Sequence, residues 1–125
     1  MPSRELFLEP DLIVSGNEGQ VDQVIVNLVD NAMDAMREVA MPELSVRAFR
    51  DGNDIKIAIS DNGAGISDEI LDRIFEPSFT TKRVGEGTGP GLWISYGIVR
   101  ENGGELRAEN RAEGGARFSF ALPSI

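Results

Sequence analysis

The 125-residue sequence contains no cysteine and no histidine. The first absence excludes a disulfide framework and any thiolate metal site. The second removes the usual general base and the commonest zinc ligand, so histidine-dependent triads and zinc hydrolysis centres cannot be assembled within this chain. Basic charge is scarce: 12 Lys and Arg stand against 21 Asp and Glu, a net charge of −9. A broad electrostatic footprint for nucleic acid or anionic lipid is therefore not expected, and any bound anion must be held locally. No apolar run exceeds three residues, far below the roughly 20 needed for a membrane-spanning helix. The start, Met1-Pro2-Ser3-Arg4-Glu5, lacks the apolar stretch of a signal peptide. The expectation is a cytoplasmic domain with no direct membrane insertion. What is present is ordinary for a folded protein: 41% hydrophobic and 26% charged residues, and a length that suits one domain over 1–125.

Two short apolar runs, Leu6-Phe7-Leu8 and Leu12-Ile13-Val14, flank Glu9-Pro10-Asp11 and read as strands joined by a tight connection. Asn17 offers a helix cap, and Val21, Val24, Ile25, Leu28, Val29, Ala32 and Ala35 then recur at spacings of three and four. That pattern predicts an amphipathic helix to about Glu38, stopped by Pro42. Leu44, Val46 and Ala48, then Ile55, Ile57 and Ile59, alternate with more polar residues around an Asp51-Gly52 turn and predict a hairpin. Ser67 heads a short helical stretch to about Phe75. Residues 76–90 carry glycines and prolines without hydrophobic period and read as a long loop, the kind of segment that often serves as a lid. A further helix is expected from Gly91 to Asn102-Gly103-Gly104. A last hairpin, with Leu106, Ala108, Phe118, Phe120 and Leu122 around Glu113-Gly114-Gly115, brings the expectation to six strands and three helices in an α+β layer arrangement.

Four segments carry residues suited to chemistry. On the first helix Gln23, Asn27, Asn31 and Asp34 share one stripe. A polar stripe is the normal exterior of a helix, but Asn is a mediocre helix former, and its carboxamide oxygen is a neutral hard ligand suited to magnesium. Asp61-Asn62-Gly63-Ala64-Gly65-Ile66 follows the isoleucine-rich strand. Alone it is a turn signal; functionally, a carboxylate fixed at a strand end can accept from the exocyclic amine of adenine while glycines leave room for a flat base. Phe75-Glu76-Pro77-Ser78-Phe79-Thr80-Thr81-Lys82 and Arg83 place a basic pair inside the long loop, where it can screen phosphates. Gly85-Glu86-Gly87-Thr88-Gly89-Pro90-Gly91-Leu92 runs directly into a helix, a position where unpaired amides can cradle phosphate. This stretch lacks the Gly-Lys-Ser/Thr ending of a P-loop and the βαβ context of a dinucleotide fold.

Taken in order, these segments resemble the catalytic ATP-binding domain of sensor histidine kinases, in the superfamily that also holds gyrase, a heat-shock chaperone and the MutL ATPases. The matching stretches are Gln23 to Ala35, Asp61 to Ile66, Phe75 to Lys82, Gly87 to Leu92 and Gly114 to Pro123. The wording of Ile-Ser-Tyr-Gly-Ile-Val-Arg-Glu and Glu-Asn-Arg-Ala-Glu-Gly-Gly-Ala is nearest the branch of nitrogen-regulation, oxygen-sensing and dicarboxylate-sensing kinases. The resemblance implies a two-layer α/β sandwich of the Bergerat type, with a mixed sheet covered on one face by three helices and ATP between the first and last helices under a lid. It implies that Asn31 coordinates Mg2+, that Asn27 sits near the phosphates and the metal's waters, and that Asp61 binds adenine with Gly63, Gly65 and Ile66 shaping the pocket. Phe75 would anchor the lid. Thr80, Thr81 and Lys82 would act from the lid, Lys82 on the transferring phosphate, and Gly87, Thr88, Gly89, Gly91 and Leu92 would wrap the triphosphate. The implied partners are a helical phosphoacceptor domain bearing histidine and, downstream, the receiver domain of a response regulator; the resemblance also allows a parent protein tethered to the inner membrane.

Departures from the family pattern qualify these expectations. Position 90 is usually leucine and here is Pro90, which has no amide to donate and pushes Gly89 towards extended geometry. It is expected to stiffen the lid and lower nucleotide affinity or turnover. Asp34 and Ala35 stand where many members carry a basic residue and an aromatic, leaving Arg37 as a secondary phosphate candidate. The chain lacks an acceptor histidine, so phosphotransfer must be to a separate domain. Two alternatives are an anti-sigma-factor-type serine kinase, which would need a glutamate base where Asn27 stands, and an ATP-binding regulatory module without transfer activity.

Overall fold

A computed structural model describes residues 3–8, 18–75 and 91–123. Its order is β1 (Ser3–Leu8), α1 (Glu18–Ala35), β2 (Glu43–Asp51), β3 (Asp54–Asp61), α2 (Asp68–Leu71), α3 (Gly91–Glu101), β4 (Leu106–Asn110) and β5 (Ala116–Pro123). The five strands among the described residues form one sheet in the order β1-β2-β3-β5-β4. β1 runs parallel to β2, and the other neighbours are antiparallel, so the sheet is mixed as expected. The strand predicted around Leu12-Ile13-Val14 lies outside the described residues.

The two periods read from the sequence meet in one core. Val21, Val24, Leu28 and Ala32 form the buried stripe of α1, continued by Met36 just past its end, and Val99 is the buried apolar residue of α3. They cover the sheet face made by Leu44, by Ile55, Ile57 and Ile59, by Phe118, Phe120 and Leu122, and by Leu106. Register stacks Ile57 opposite Phe120 and Ile59 opposite Phe118, so β-branched and aromatic side chains pair across strands on the covered face. Fully burying side chains of this size contributes roughly 1.5–3 kcal/mol each. On the other face the strand centres carry small buried residues, Ala58, Ser60 and Ser119. Arg117 reaches across them, donating from Nε to Ser60 Oγ at 3.2 Å and from Nη1 to Glu109 at 3.2 Å. That face is closed by the stem of a long charged side chain, with no second helical layer on the described residues.

Element ends differ slightly from the periodicity. The first helix, expected to reach Glu38, ends at Ala35, and Arg37 N–H donates to the Asp34 carbonyl at 3.2 Å, a tighter i→i+3 turn. The stretch from Ser67 towards Phe75 holds a single four-residue helix followed by turns. α3 ends where its Asn-Gly-Gly stop predicts. Gly104 N–H donates to the Val99 carbonyl at 2.9 Å and Gly103 N–H to the Arg100 carbonyl at 3.1 Å, the paired bonds of a Schellman cap. Asn102 adds a side-chain bond to Gln20 at 3.2 Å, tying the end of α3 to the start of α1.

Candidate functional site

The end of β3 delivers Asp61 into the interior, where it is 1% exposed. Its Oδ1 accepts the Gly63 amide at 2.8 Å and the Ala116 amide at 3.3 Å. Among the described residues no donor reaches Oδ2. Two backbone donors thus fix the carboxylate's rotation through one oxygen and offset part of the cost of burying the acid. The main chain then turns through Asn62 to Ile66. Asn62 is a structural tether: its Oδ1 accepts from Glu43 N–H at 2.9 Å and its Nδ2 donates to the Met41 carbonyl at 3.0 Å. Gly63 lies against α1 so closely that a Cβ there would collide with the Ala35 carbonyl.

A cavity of about 410 Å³ opens beside this turn, walled by Asn31, Asp34 and Ala35 of α1, by Asp61, Gly65 and Ile66, by Ile70 and Ile74, and by Ala116 and Phe118 of β5. Its lining mixes polar residues with apolar ones, as small-molecule clefts commonly do. A shallower groove lined by Asp34, Arg37 and Gly63 adjoins it, sharing Asp34, Ala35, Arg37 and Ala64.

The structure therefore brings together Asn31, Asp61, Gly65 and Ile66, with Gly63 on the adjoining groove. Asn27 does not line the cavity. Its Nδ2 donates to Ser95 Oγ of α3 at 3.2 Å, so the residue bridges the helix pair. Phe75 stands behind the cavity wall, stacked on Tyr96 at 5.2 Å between centroids and edge-on to Phe118 at 6.2 Å. Leu92 packs on the margin of the core and Gly91 is the first residue of α3. Thr80, Thr81, Lys82, Gly87, Thr88, Gly89 and Pro90 lie outside the described residues.

Sequence reasoning missed three contributors. Ser95 is fully buried as the partner of Asn27. Arg111 donates from Nη1 to the Asp61 carbonyl at 2.6 Å. Asn110 grips Ile66 with both ends of its amide. Asn110 and Arg111 read in the sequence only as residues before a hairpin turn, and their partners are 44 and 50 positions away.

Residues 16–125 match the family described as histidine kinase-, DNA gyrase B-, and HSP90-like ATPase. The nucleotide-free catalytic domain of histidine kinase ThkA is similar over 98% of this chain and 78% of that one, with a TM-score of 0.87 and 30% identity. The chain belongs to the histidine kinase catalytic domains of this ATPase family. The two-component sensor PprA of Pseudomonas aeruginosa is 44% identical over 90% of this chain, which spans only 13% of that protein. ThkA in complex with the response regulator protein TrrA is similar over 99% of this chain and 34% of that one, at 28% identity and a TM-score of 0.82. The matched family is one of ATPases. Among the described residues no helix is long and apolar enough to cross a membrane.

Proposed function

We propose that this chain binds magnesium-ATP in the Asn31–Asp61 cavity and transfers the γ-phosphoryl group to a histidine on a separate helical phosphoacceptor domain, supplying a response regulator downstream. One observation carries the reading: Asp61 is buried, its Oδ1 is held by two amides, and it faces the same cavity as Asn31. In this reading Oδ2 accepts from the exocyclic amine of adenine, while Gly65 and Ile66 flank the ring. Asn31 offers a carboxamide oxygen, and Asp34 lies one turn further along the same wall. No group of three or more acidic, Cys or His side chains gathers among the described residues to hold an ion alone. The donor set therefore fits a magnesium ion that arrives with the nucleotide and keeps most of its ligands as water and phosphate oxygens. When bound, that ion neutralises charge on the phosphates. Asn27, its Nδ2 engaged by Ser95, keeps a carboxamide oxygen that would accept from the metal's waters. Thr80, Thr81 and Lys82, with Gly87, Thr88, Gly89, Gly91 and Leu92, are assigned to the triphosphate.

Transfer breaks the bond between the γ-phosphorus and the β–γ bridging oxygen and forms a phosphorus–nitrogen bond to neutral imidazole, releasing ADP. Such a loose transfer needs positioning and charge neutralisation more than a base, and imidazole is nucleophilic without one. A serine acceptor would need a base, which Asn27 cannot supply, so the absence of an acid there favours histidine. Incubation with labelled ATP, magnesium and a dimeric histidine-bearing helical hairpin tests the reading. Acid-labile label on the hairpin is expected; acid-stable label on a serine, or binding with no transfer, would overturn it.

A further inference from the structure

We infer that Asn110, the last residue of β4, is a positioning residue for the nucleotide: it fixes the far end of the Asp61–Ile66 turn and so sets the geometry in which Asp61 meets a base. The inference rests on the ATP reading of the cavity, and its first test does not. Asn110 Oδ1 accepts the Ile66 amide at 2.8 Å, and its Nδ2 donates to the Ile66 carbonyl at 2.5 Å. The side chain thus pairs with residue 66 as a neighbouring strand would, using both groups of the carboxamide on both groups of one peptide-bearing residue. Between the two anchors Gly65 takes φ +79°, and a Cβ there would come within 3.1 Å of Asn110 Oδ1. The turn and the amide are fitted to each other.

The other end of the turn is held by the same segment. Arg111 donates from Nη1 to the Asp61 carbonyl at 2.6 Å, and Ala116 N–H reaches Asp61 Oδ1 at 3.3 Å. The residues joining β4 to β5 therefore grip the turn at its first residue and its last, while Asn62 ties its middle to the β2 side. Asn110 is the one of these grips that is solvent-exposed. An exposed side chain with two bonds to a distant loop contributes little to global packing, so its value lies in where it puts Ile66. Because Ile66 lines the cavity beside Asp61, release of this end lets the ring-flanking wall drift relative to the carboxylate, and a displacement near 1 Å is enough to weaken a recognition site.

The first experiment uses ligand-free protein. Amide hydrogen exchange is compared between wild type and Asn110→Ala across residues 61–66. Exchange at Ile66 and its neighbours is expected to rise about tenfold, the scale set by removing a bonded amide, with α1 and β3 unchanged. Unchanged exchange at Ile66 overturns the proposal whatever nucleotide does. The second compares ATP with inosine triphosphate, which lacks the exocyclic amine, by displacement of a fluorescent nucleotide. Asn110→Ala is expected to weaken ATP about tenfold and to shrink the ATP-over-inosine preference, and Asn110→Asp, which keeps the acceptor for Ile66 N–H, should recover part of both. Parallel loss of the two nucleotides with the preference intact would mark a merely structural role and overturn it. If exchange rises in the variant but the wild type binds no ATP at all, the cavity reading fails and the positioning role fails with it, leaving Asn110 as a loop tether.

Discussion

Asn27 on α1 donates its side-chain amide to the Ser95 hydroxyl on α3 at 3.2 Å, and Ser95 is 0% exposed. A polar pair thus joins the two helices at the margin of an otherwise apolar layer. Asn27→Ala leaves a buried hydroxyl unpaired, at about 1–2 kcal/mol by the usual cost of such a group. Ser95→Ala made on top of it should cost less than Ser95→Ala alone, because the partner is already gone. Urea unfolding of the two single variants and the double variant measures the coupling, and additive losses would show that the bond contributes nothing.

The carboxylate of Asp61 divides its labour between its two oxygens. Asp61→Asn can keep the carbonyl-type oxygen that accepts from Gly63 and Ala116 while replacing the free oxygen by an amide donor. The fold should survive with a thermal midpoint within a few degrees of wild type, and ATP affinity should fall by about tenfold or more, since a donor now opposes the exocyclic amine. Isothermal titration beside a melting curve separates the two effects. Loss of stability in step with affinity would sink the assignment.

Much of this was legible because two periods are simple to read. Val21, Val24, Leu28 and Ala32 occupy one side of α1, and Ile55, Ile57 and Ile59 alternate into the core of β3, since a helix and a strand repeat at 3.6 and 2 residues. The Asp61–Ile66 turn could be placed because a strand ends before it, and the meeting of Asn31 with Asp61 was implied by the family resemblance. Local signals stop at local contacts. That Asn27 bonds Ser95 depends on how α1 lies against α3, 68 positions away, and Asn110 is chemically indistinguishable in sequence from any turn asparagine. α1 ends short of the expected Glu38 because the backbone has already tightened into a turn, although Met36 beyond its end is still buried.

Asn31 offers its carboxamide to the cavity without an accompanying acidic cluster among the described residues. Its contribution should therefore be conditional on the metal. Asn31→Ala is expected to leave ATP binding in chelator nearly unaltered and to reduce the gain from added magnesium by about fivefold to tenfold, the scale of one lost polar contact. Titrations with and without magnesium read the difference directly; an equal loss in both conditions would assign Asn31 to the nucleotide and not to the ion.

Phe75 is tied to the core through its stack on Tyr96 and its edge contact with Phe118. Phe75→Leu keeps much of the apolar volume and removes the ring pairing, so a loss of about 0.5–1.5 kcal/mol is expected. A temperature scan checks that figure, and a variant as stable as wild type would show that the rings add nothing beyond area.

Gly115 and Gly114 are adjacent in the same turn and both take positive φ, +84° and +105°, yet their surroundings differ. A Cβ at Gly114 meets nothing within 4 Å, while one at Gly115 would collide with the Asp61 carbonyl and approach Asn62 Cα at 2.8 Å. Gly114→Ala should therefore show backbone strain alone, about 1–2 kcal/mol. Gly115→Ala should cost at least 1 kcal/mol more, because backbone cannot rotate aside as a side chain can. The same collision pushes on the residue that carries the free carboxylate oxygen, so Gly115→Ala should also weaken ATP binding in the fraction that remains folded, whereas Gly114→Ala should not. Denaturant unfolding and nucleotide titration of both variants decide it: equal stabilities, or equal affinities, would mean that the turn can retreat from Asp61 without moving it.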